Sequence, residues 1–337
     1  MKRVGGLLDR IVARDNLLLA FCRARRGRRA AREVVDFAAD LDGNLARMAA
    51  AIRDGTVAVG RYRTFTICDP KPRRIFAPAF AERVLQHAVF AVAGPRLERF
   101  LIDQTFACRQ GFGTHAAVAK AQQYSRRWPY VLQLDVRHYF DVIDHRRLLD
   151  LLRRLWKDEA VLALVARILA SYEVEPGHGL PIGALSSQHL ANLYLGVFDH
   201  FVKEQLRCRG YVRYMDDMLL FGDDAASLRS WLAAARDWLQ SQLGLQLKPP
   251  QVRPVRHGFD FLGIRIRPSH CTLTGARKRR WAATLKRLVQ AHGAGAVDDA
   301  AFARRAGAVV AHARAVCSRG FRGHVLARLG ASPALLG

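Results

Sequence analysis

The sequence predicts an α+β fold in which an antiparallel sheet is backed by helices. Short apolar runs that end at or bracket aspartates read as strands, and longer stretches with apolar residues at three- and four-residue steps read as helices. From residue 131 their order is strand, helix, helix, strand, strand, helix, strand, which suits helices packed on an antiparallel sheet. At 337 residues, half of them hydrophobic, the chain can bury a sizeable core. No repeat and no Gly/Ser or Pro linker divides it, so packed lobes with soft boundaries are expected at 1–130, 131–266 and 267–337.

The first lobe mixes amphipathic helical stretches with one short strand, Tyr62-Arg-Thr-Phe-Thr-Ile67. In the next segment, Asp69-Pro-Lys-Pro-Arg-Arg74, the closely spaced Pro70 and Pro72 argue against regular structure. Val131 to Leu134 reads as a buried strand ending at Asp135, and Arg146 to Trp156 as a helix with Asp144 as its N-cap. Gly183 to Leu206 is expected to be one long helix, since Leu190, Leu193, Tyr194, Val197, Phe201 and Val202 recur along one face. Tyr211 to Tyr214 and Met218 to Phe221 flank Met215-Asp216-Asp217 in the pattern of a hairpin. Leu228 to Leu243 is amphipathic helix, Phe259 to Ile266 a further strand, and the Ala-, Arg- and Leu-rich chain from Arg277 a small helical lobe.

Lys and Arg outnumber Asp and Glu by 54 to 29, a formal charge of +25. Such an excess points to a polyanionic partner. Nucleic acid suits it better than anionic membrane, because the basic residues are spread along the chain and not gathered on one amphipathic helix. Cys22, Cys68, Cys108, Cys208, Cys271 and Cys317 show neither zinc-site spacing nor disulfide density, and read as reduced thiols. The start lacks the apolar region of an export signal, and the longest apolar stretch, Val84 to Pro95, is interrupted by Gln86 and His87. A cytoplasmic protein that does not enter a membrane is expected.

Asp135 at the end of a strand and Asp216 with Asp217 at a hairpin tip are oxygen donors from distant parts of the chain. Two Mg²⁺ ions ~4 Å apart need such donors, because each takes only one or two protein carboxylates. Neighbouring side chains on a strand point to opposite faces, so Asp216 and Asp217 cannot ligate equally unless the turn re-aims one; Asp216 is given the stronger role. An Asp-Asp pair alone more often marks a solvated turn, the reading given to Asp223-Asp224.

Several motifs, in order across about residues 60 to 265, resemble those of reverse transcriptases. Pro72-Arg-Arg-Ile75 looks like the fingers motif that meets the triphosphate, and Phe106-Ala-Cys-Arg-Gln-Gly-Phe-Gly-Thr-His115 like the next one. Leu134-Asp-Val-Arg-His-Tyr-Phe-Asp-Val-Ile-Asp144 resembles the first palm motif, and Gly179-Leu-Pro-Ile-Gly183 with Ser187-Gln188 and Ala191-Asn192 the second. Tyr214-Met-Asp-Asp217 and Phe261-Leu-Gly263 complete the set. The resemblance implies a right-hand polymerase with fingers (1–130), an antiparallel-sheet palm (131–266) and a small helical thumb (267–337). It implies two Mg²⁺ ions, with Mn²⁺ able to substitute, held by Asp135, the Val136 backbone, Asp216 and Asp217. Template RNA, the RNA/cDNA hybrid and dNTPs are the implied partners.

Within that family the chain is most similar to the compact enzymes of bacterial diversity-generating retroelements. Leu7-Leu-Asp-Arg-Ile-Val-Ala-Arg-Asp-Asn16 resembles their N-terminal segment, and Ile182-Gly183 with Ser187-Gln188 stands where most reverse transcriptases have Gln-Gly and Ser-Pro. This likeness implies error-prone copying at template adenines, cDNA that replaces part of a target gene, and a small basic accessory protein, often a pentamer. Ile182 offers shape and burial where Gln would offer a hydrogen bond, so misinsertion should cost less; the alternative is that it only packs beneath Pro181. Tyr139 is expected to form the aromatic plate that excludes a ribose 2′-hydroxyl, unless it is simply core.

Lys71, Arg73 and Arg74 are expected to bind the dNTP phosphates. Arg109 either binds phosphate as a nucleic-acid contact or holds the fingers through a structural ion pair. Arg25, Arg26, Arg28 and Arg29 in one basic run, and Arg277, Lys278, Arg279 and Arg280 in another, suit phosphate contacts along nucleic acid; a solvated face is the plainer reading. In Leu243-Gly-Leu-Gln-Leu-Lys-Pro-Pro-Gln251, Gln251 stands where many relatives carry a Lys that protonates pyrophosphate, leaving Lys248 or water for that task. Two other functions fit the same residues: an antiphage defence reverse transcriptase, and a catalytically silent RNA-binding protein on this scaffold.

Overall fold

A computed structural model describes residues 2–68, 72–314 and 316–330. It is an α+β structure, as the sequence predicts. The described strands are β1 (Tyr62–Cys68), β2 (Pro72–Pro78), β3 (Tyr130–Asp135), β4 (Gly210–Tyr214), β5 (Asp217–Gly222), β6 (Gln251–Pro254), β7 (Phe259–Phe261), β8 (Ile264–Ile266) and β9 (Cys271–Leu273). The chain divides into two compact units, one of Met1–Gln110, Asp135–Arg207 and Ala233–Pro249, the other of Gly111–Leu134, Cys208–Leu232 and Pro250–Gly337.

The first unit is mainly helical. The Arg14–Ala24 and Phe80–Glu98 helices pack together and bury Leu17, Phe21, Val84, Leu85, Ala88 and Val89. Phe21 stacks on Phe37, and Phe80 meets both rings edge-on, the offset geometry that aromatic quadrupoles prefer. Asp144 caps the His145–Arg153 helix as its sequence position suggests, accepting the Arg147 N–H at 3.0 Å. The expected helix from Gly183 instead begins at Leu185, runs regularly to His200 and continues as a π-helical turn, Phe201–Gln205.

Gly183 stays outside that helix because its φ is +115°, a conformation that side chains disfavour. A Cβ there would lie 2.7 Å from Ile75 Cγ2, so glycine is what lets β2 approach this closely. The expectation of irregular chain through Arg74 is corrected here. Pro72, Arg73 and Arg74 open β2, paired antiparallel with β1 from Cys68↔Pro72 to Tyr62↔Pro78. Pro72 is tolerated because it is the first residue of an edge strand. Asp69, Pro70 and Lys71 lie outside the described residues.

The second unit holds a four-stranded sheet in the order β4-β5-β3-β6, with β4-β5 and β3-β6 paired antiparallel. Val131, Leu132, Leu134, Val212, Met218, Leu219, Leu220 and Phe221 are buried, which is why these strands read as near-continuous apolar runs. Tyr124 and Phe259 close edge-on upon Phe221 at 5.8 and 5.7 Å. The single strand expected over Phe259 to Ile266 is two, β7 and β8, because Leu262 (φ +50°) and Gly263 (φ +76°) turn the chain between them. Helices Gly275–Gly293, Asp299–Arg314 and Arg319–Arg328 follow. No helix among the described residues is long and apolar enough to cross a membrane, and the six cysteines are free thiols.

Candidate active site

In the second unit, Tyr214 pairs with Asp217 and closes the β4-β5 ladder, leaving Met215 and Asp216 as a two-residue loop. Met215 has a φ of +53°, left-handed backbone that costs a side-chain-bearing residue on the order of 1 kcal/mol. Strain of this kind persists where the surroundings over-determine it. Arg213 contributes to that: fully buried in β4, it donates to the Met215 carbonyl at 3.1 Å. The alternation that sets neighbouring strand side chains on opposite faces does not govern Asp216, which sits in the loop, whereas Asp217 is the first residue of β5. Both aspartates are partly exposed.

In the first unit, Asp135 is held by Lys248. The ammonium lies 2.7 Å from both Oδ1 and Oδ2. The backbone sets this up: Lys248 N–H donates to the Asp135 carbonyl and Arg137 N–H to the Gln246 carbonyl, each at 2.8 Å, around an antiparallel bridge between Val136 and Leu247. Those two bonds use groups of Asp135 and Arg137 and leave out the carbonyl of Val136. Among the described residues no three His, Cys, Asp or Glu side chains are already gathered as a metal-ready group. The donor chemistry of each unit nonetheless suits a hard divalent cation: in the first, Asp135 offers both oxygens and Val136 a carbonyl, and in the second the loop carries carboxylates of its own. Neither Lys248 as the partner of Asp135 nor Arg213 as the brace of the loop was anticipated. The available signals were a lone Lys before two prolines and a charge inside an apolar strand.

Other expected residues gather elsewhere in the first unit. Ile182 is partly exposed, and its carbonyl accepts the Phe76 N–H at 2.8 Å, tying it to β2. Arg73 and Arg74 are exposed on that strand, and the Arg74 guanidinium lies 5.2 Å from the Phe76 ring centre, a contact that limits its wandering. A cavity of about 280 Å³ is lined by Arg28, Phe65, Ile75, Arg83, Gly183 and Gln188 among others. Tyr139 is only 2% exposed and its hydroxyl donates to the Ala191 carbonyl, while the adjoining Phe140 keeps part of its surface accessible.

Among the basic residues, Arg109 needs correction as a nucleic-acid contact. Its side chain is 7% exposed, pairs with Glu98 at 2.5 Å and donates to the carbonyls of Ile102 and Thr105 at 2.6 and 2.8 Å. It is the structural ion pair of the two roles considered. Arg25 packs over Phe21 and Arg28 pairs with Glu33, while Arg26 and Arg29 are exposed. Arg277, Lys278, Arg279 and Arg280 occupy the start of the Gly275–Gly293 helix, where the helix dipole disfavours cations. Of these, Arg277 donates to the Leu262 carbonyl at 2.8 Å.

Comparison with known proteins gives one family match. A family model described as reverse transcriptase (RNA-dependent DNA polymerase) matches residues 62–266, more than half of the chain. Protein YkfC of Escherichia coli K12 is 24% identical over 241 residues, covering 58% of this chain and 63% of that protein. The group II intron-encoded protein LtrA of Lactococcus lactis subsp. cremoris is 28% identical over 163 residues, covering 45% and 27%. The chain thus spans less than two thirds of either curated relative. Solved structures that it resembles include telomerase from Candida albicans with a TWJ fragment of telomeric RNA (TM-score 0.46, 10% identity, 67% of this chain and 50% of that one). Apo telomerase from Candida tropicalis is another (TM-score 0.46, 8% identity, 69% and 53%).

Proposed function

The chain belongs to the reverse transcriptase family, and from that premise we propose that it is an RNA-directed DNA polymerase acting through Asp135, Asp216 and Asp217. The observation that carries the reading is the Met215-Asp216 loop, where a strained residue, its carbonyl held by a buried arginine, shapes the backbone that bears Asp216. Asp135, the Val136 carbonyl, Asp216 and Asp217 would hold two Mg²⁺ ions. Those ions, when bound, supply positive charge for the oxygens of attacking 3′-hydroxyl and leaving pyrophosphate. Arg73 and Arg74 bind the triphosphate of the incoming dNTP, the exposed guanidinium groups presenting paired donors to phosphate oxygens. Primer extension on an RNA template with dNTPs and Mg²⁺ tests the proposal, and failure to extend on any template would support a silent RNA-binding protein instead.

Sugar selection follows from the Tyr139-Phe140 pair. Tyr139 is spent on packing and on Ala191, so the face presented to the sugar is assigned to Phe140, with Tyr139 as its anchor. Phe140→Ala is expected to raise ribonucleotide incorporation at least about tenfold, a steric contact being worth a kcal/mol or more. Tyr139→Phe should leave the preference for dNTPs near wild type. Competition between matched dNTPs and NTPs measures both, and the reverse ranking would return the gate to Tyr139.

The finer assignment is to a diversity-generating retroelement, where dNTPs are incorporated with frequent errors at template adenines and a small basic accessory protein assists. Ile182 supports it, since an aliphatic side chain at a position joined to β2 offers no hydrogen bond for checking a base. Ile182→Gln is expected to lower misinsertion opposite adenine about tenfold, the effect of one regained polar contact. Sequencing of the cDNA reads it, and an unchanged error rate would remove Ile182 from the account.

A further inference from the structure

We infer that the Lys248 ammonium is the cation that occupies Asp135 when no divalent ion is bound, and that metal binding at this carboxylate proceeds by displacing it. The inference rests on the reading of Asp135 as a metal ligand and adds what that ligand does beforehand. Lys248 lies opposite Asp135 across the two-segment bridge, so their side chains leave the backbone on one face. Both carboxylate oxygens are engaged at 2.7 Å, which leaves Asp135 neutralised on the side it offers to a cation.

The position is built and not incidental. Gly244, with a φ of +68°, ends the preceding helical run, Leu245 is 1% exposed, and its N–H donates to the Leu239 carbonyl. Pro249 and Pro250 follow directly and restrict the chain on the other side. A fixed backbone thus carries a flexible four-carbon stem, and the ammonium can leave without the chain moving. Burial decides whether leaving is feasible. The Lys248 and Asp135 side chains are 47% and 35% exposed, and pairs this open to water are worth only a few-fold in an equilibrium constant. A doubly charged ion wins against such a partner, whereas a buried pair would block it.

Titration of the full chain with manganese chloride, following free Mn²⁺ by electron paramagnetic resonance without nucleotide or template, tests this directly. Lys248→Met is expected to bind Mn²⁺ about two- to fivefold more tightly than wild type, the worth of an exposed ion pair being removed from the competition. Lys248→Gln should do the same, and Lys248→Arg, which keeps the charge, should not tighten binding. In thermal melts, Lys248→Met should be less stable than wild type without metal, and saturating Mg²⁺ should close the gap. Equal or weaker Mn²⁺ binding by both neutral variants would overturn the inference. Asp135→Asn separates the two levels of the reading: loss of tight Mn²⁺ binding supports Asp135 as a ligand, and wild-type binding would sink that assignment itself.

Discussion

Asp216→Asn is expected to lower single-nucleotide incorporation at least about a hundredfold, and Asp217→Asn by less. Substitutions behind a metal ligand already cost about ten- to a hundredfold, and removing a ligand's charge costs more. The amide keeps the shape of the carboxylate, so the Met215-Asp216 loop should close as before. Asp216 is partly exposed in a two-residue loop. The ranking follows from position: Asp216 is set by the loop that Met215 and Arg213 constrain, while Asp217 is the first rung of β5 and points where the strand directs it. Pre-steady-state incorporation on an RNA template, with circular dichroism to confirm folding, measures the effect. Asp216→Asn within tenfold of wild type would end the assignment, and a larger loss at Asp217 would invert the ranking.

Local chemistry was legible in the sequence and long-range register was not. The Asp144 cap and the 210–222 hairpin each depend on residues within a dozen positions of one another, and both appear where the pattern put them. The split of Phe259 to Ile266 was missed because a left-handed Leu262 leaves no compositional mark; only Gly263 beside it hinted at a turn. Pro72 misled for a different reason, since a proline that breaks a central strand can open an edge strand. The link from Ile182 to Phe76 and the pairing of Lys248 with Asp135 join segments about a hundred residues apart. Such pairings depend on how the backbone closes, which one chain's periodicity does not encode. Arg109 was ambiguous although Glu98 lies only 11 residues away, because Glu98 ends the Phe80–Glu98 helix and the irregular chain after it sets the pairing.

His189 should make the protein lose stability as pH falls from about 6.5 to 4. Its ring stacks nearly parallel on Phe90, 4.7 Å between centres, and burial pushes its pKa down from 6.5 to about 4, with His87 adding a smaller push in the same direction. A histidine held neutral in the fold takes up a proton in the unfolded chain first. Above pH 6.5 both states are neutral there and the cost is absent. Between 6.5 and 4 the unfolded state binds the extra proton, and stability falls with pH until the folded ring also titrates. The shift corresponds to about 3 kcal/mol at the acid end of that window. His87 acts with the same sign, lowered by burial and then by Arg83, Arg23 and Arg26. His189→Phe keeps an aromatic ring on Phe90 and has no proton to gain, so its urea midpoint should vary less between pH 7 and 4 than the wild-type midpoint. Parallel pH profiles for the two proteins would show instead that His189 is as accessible to protons in the fold as in the unfolded chain.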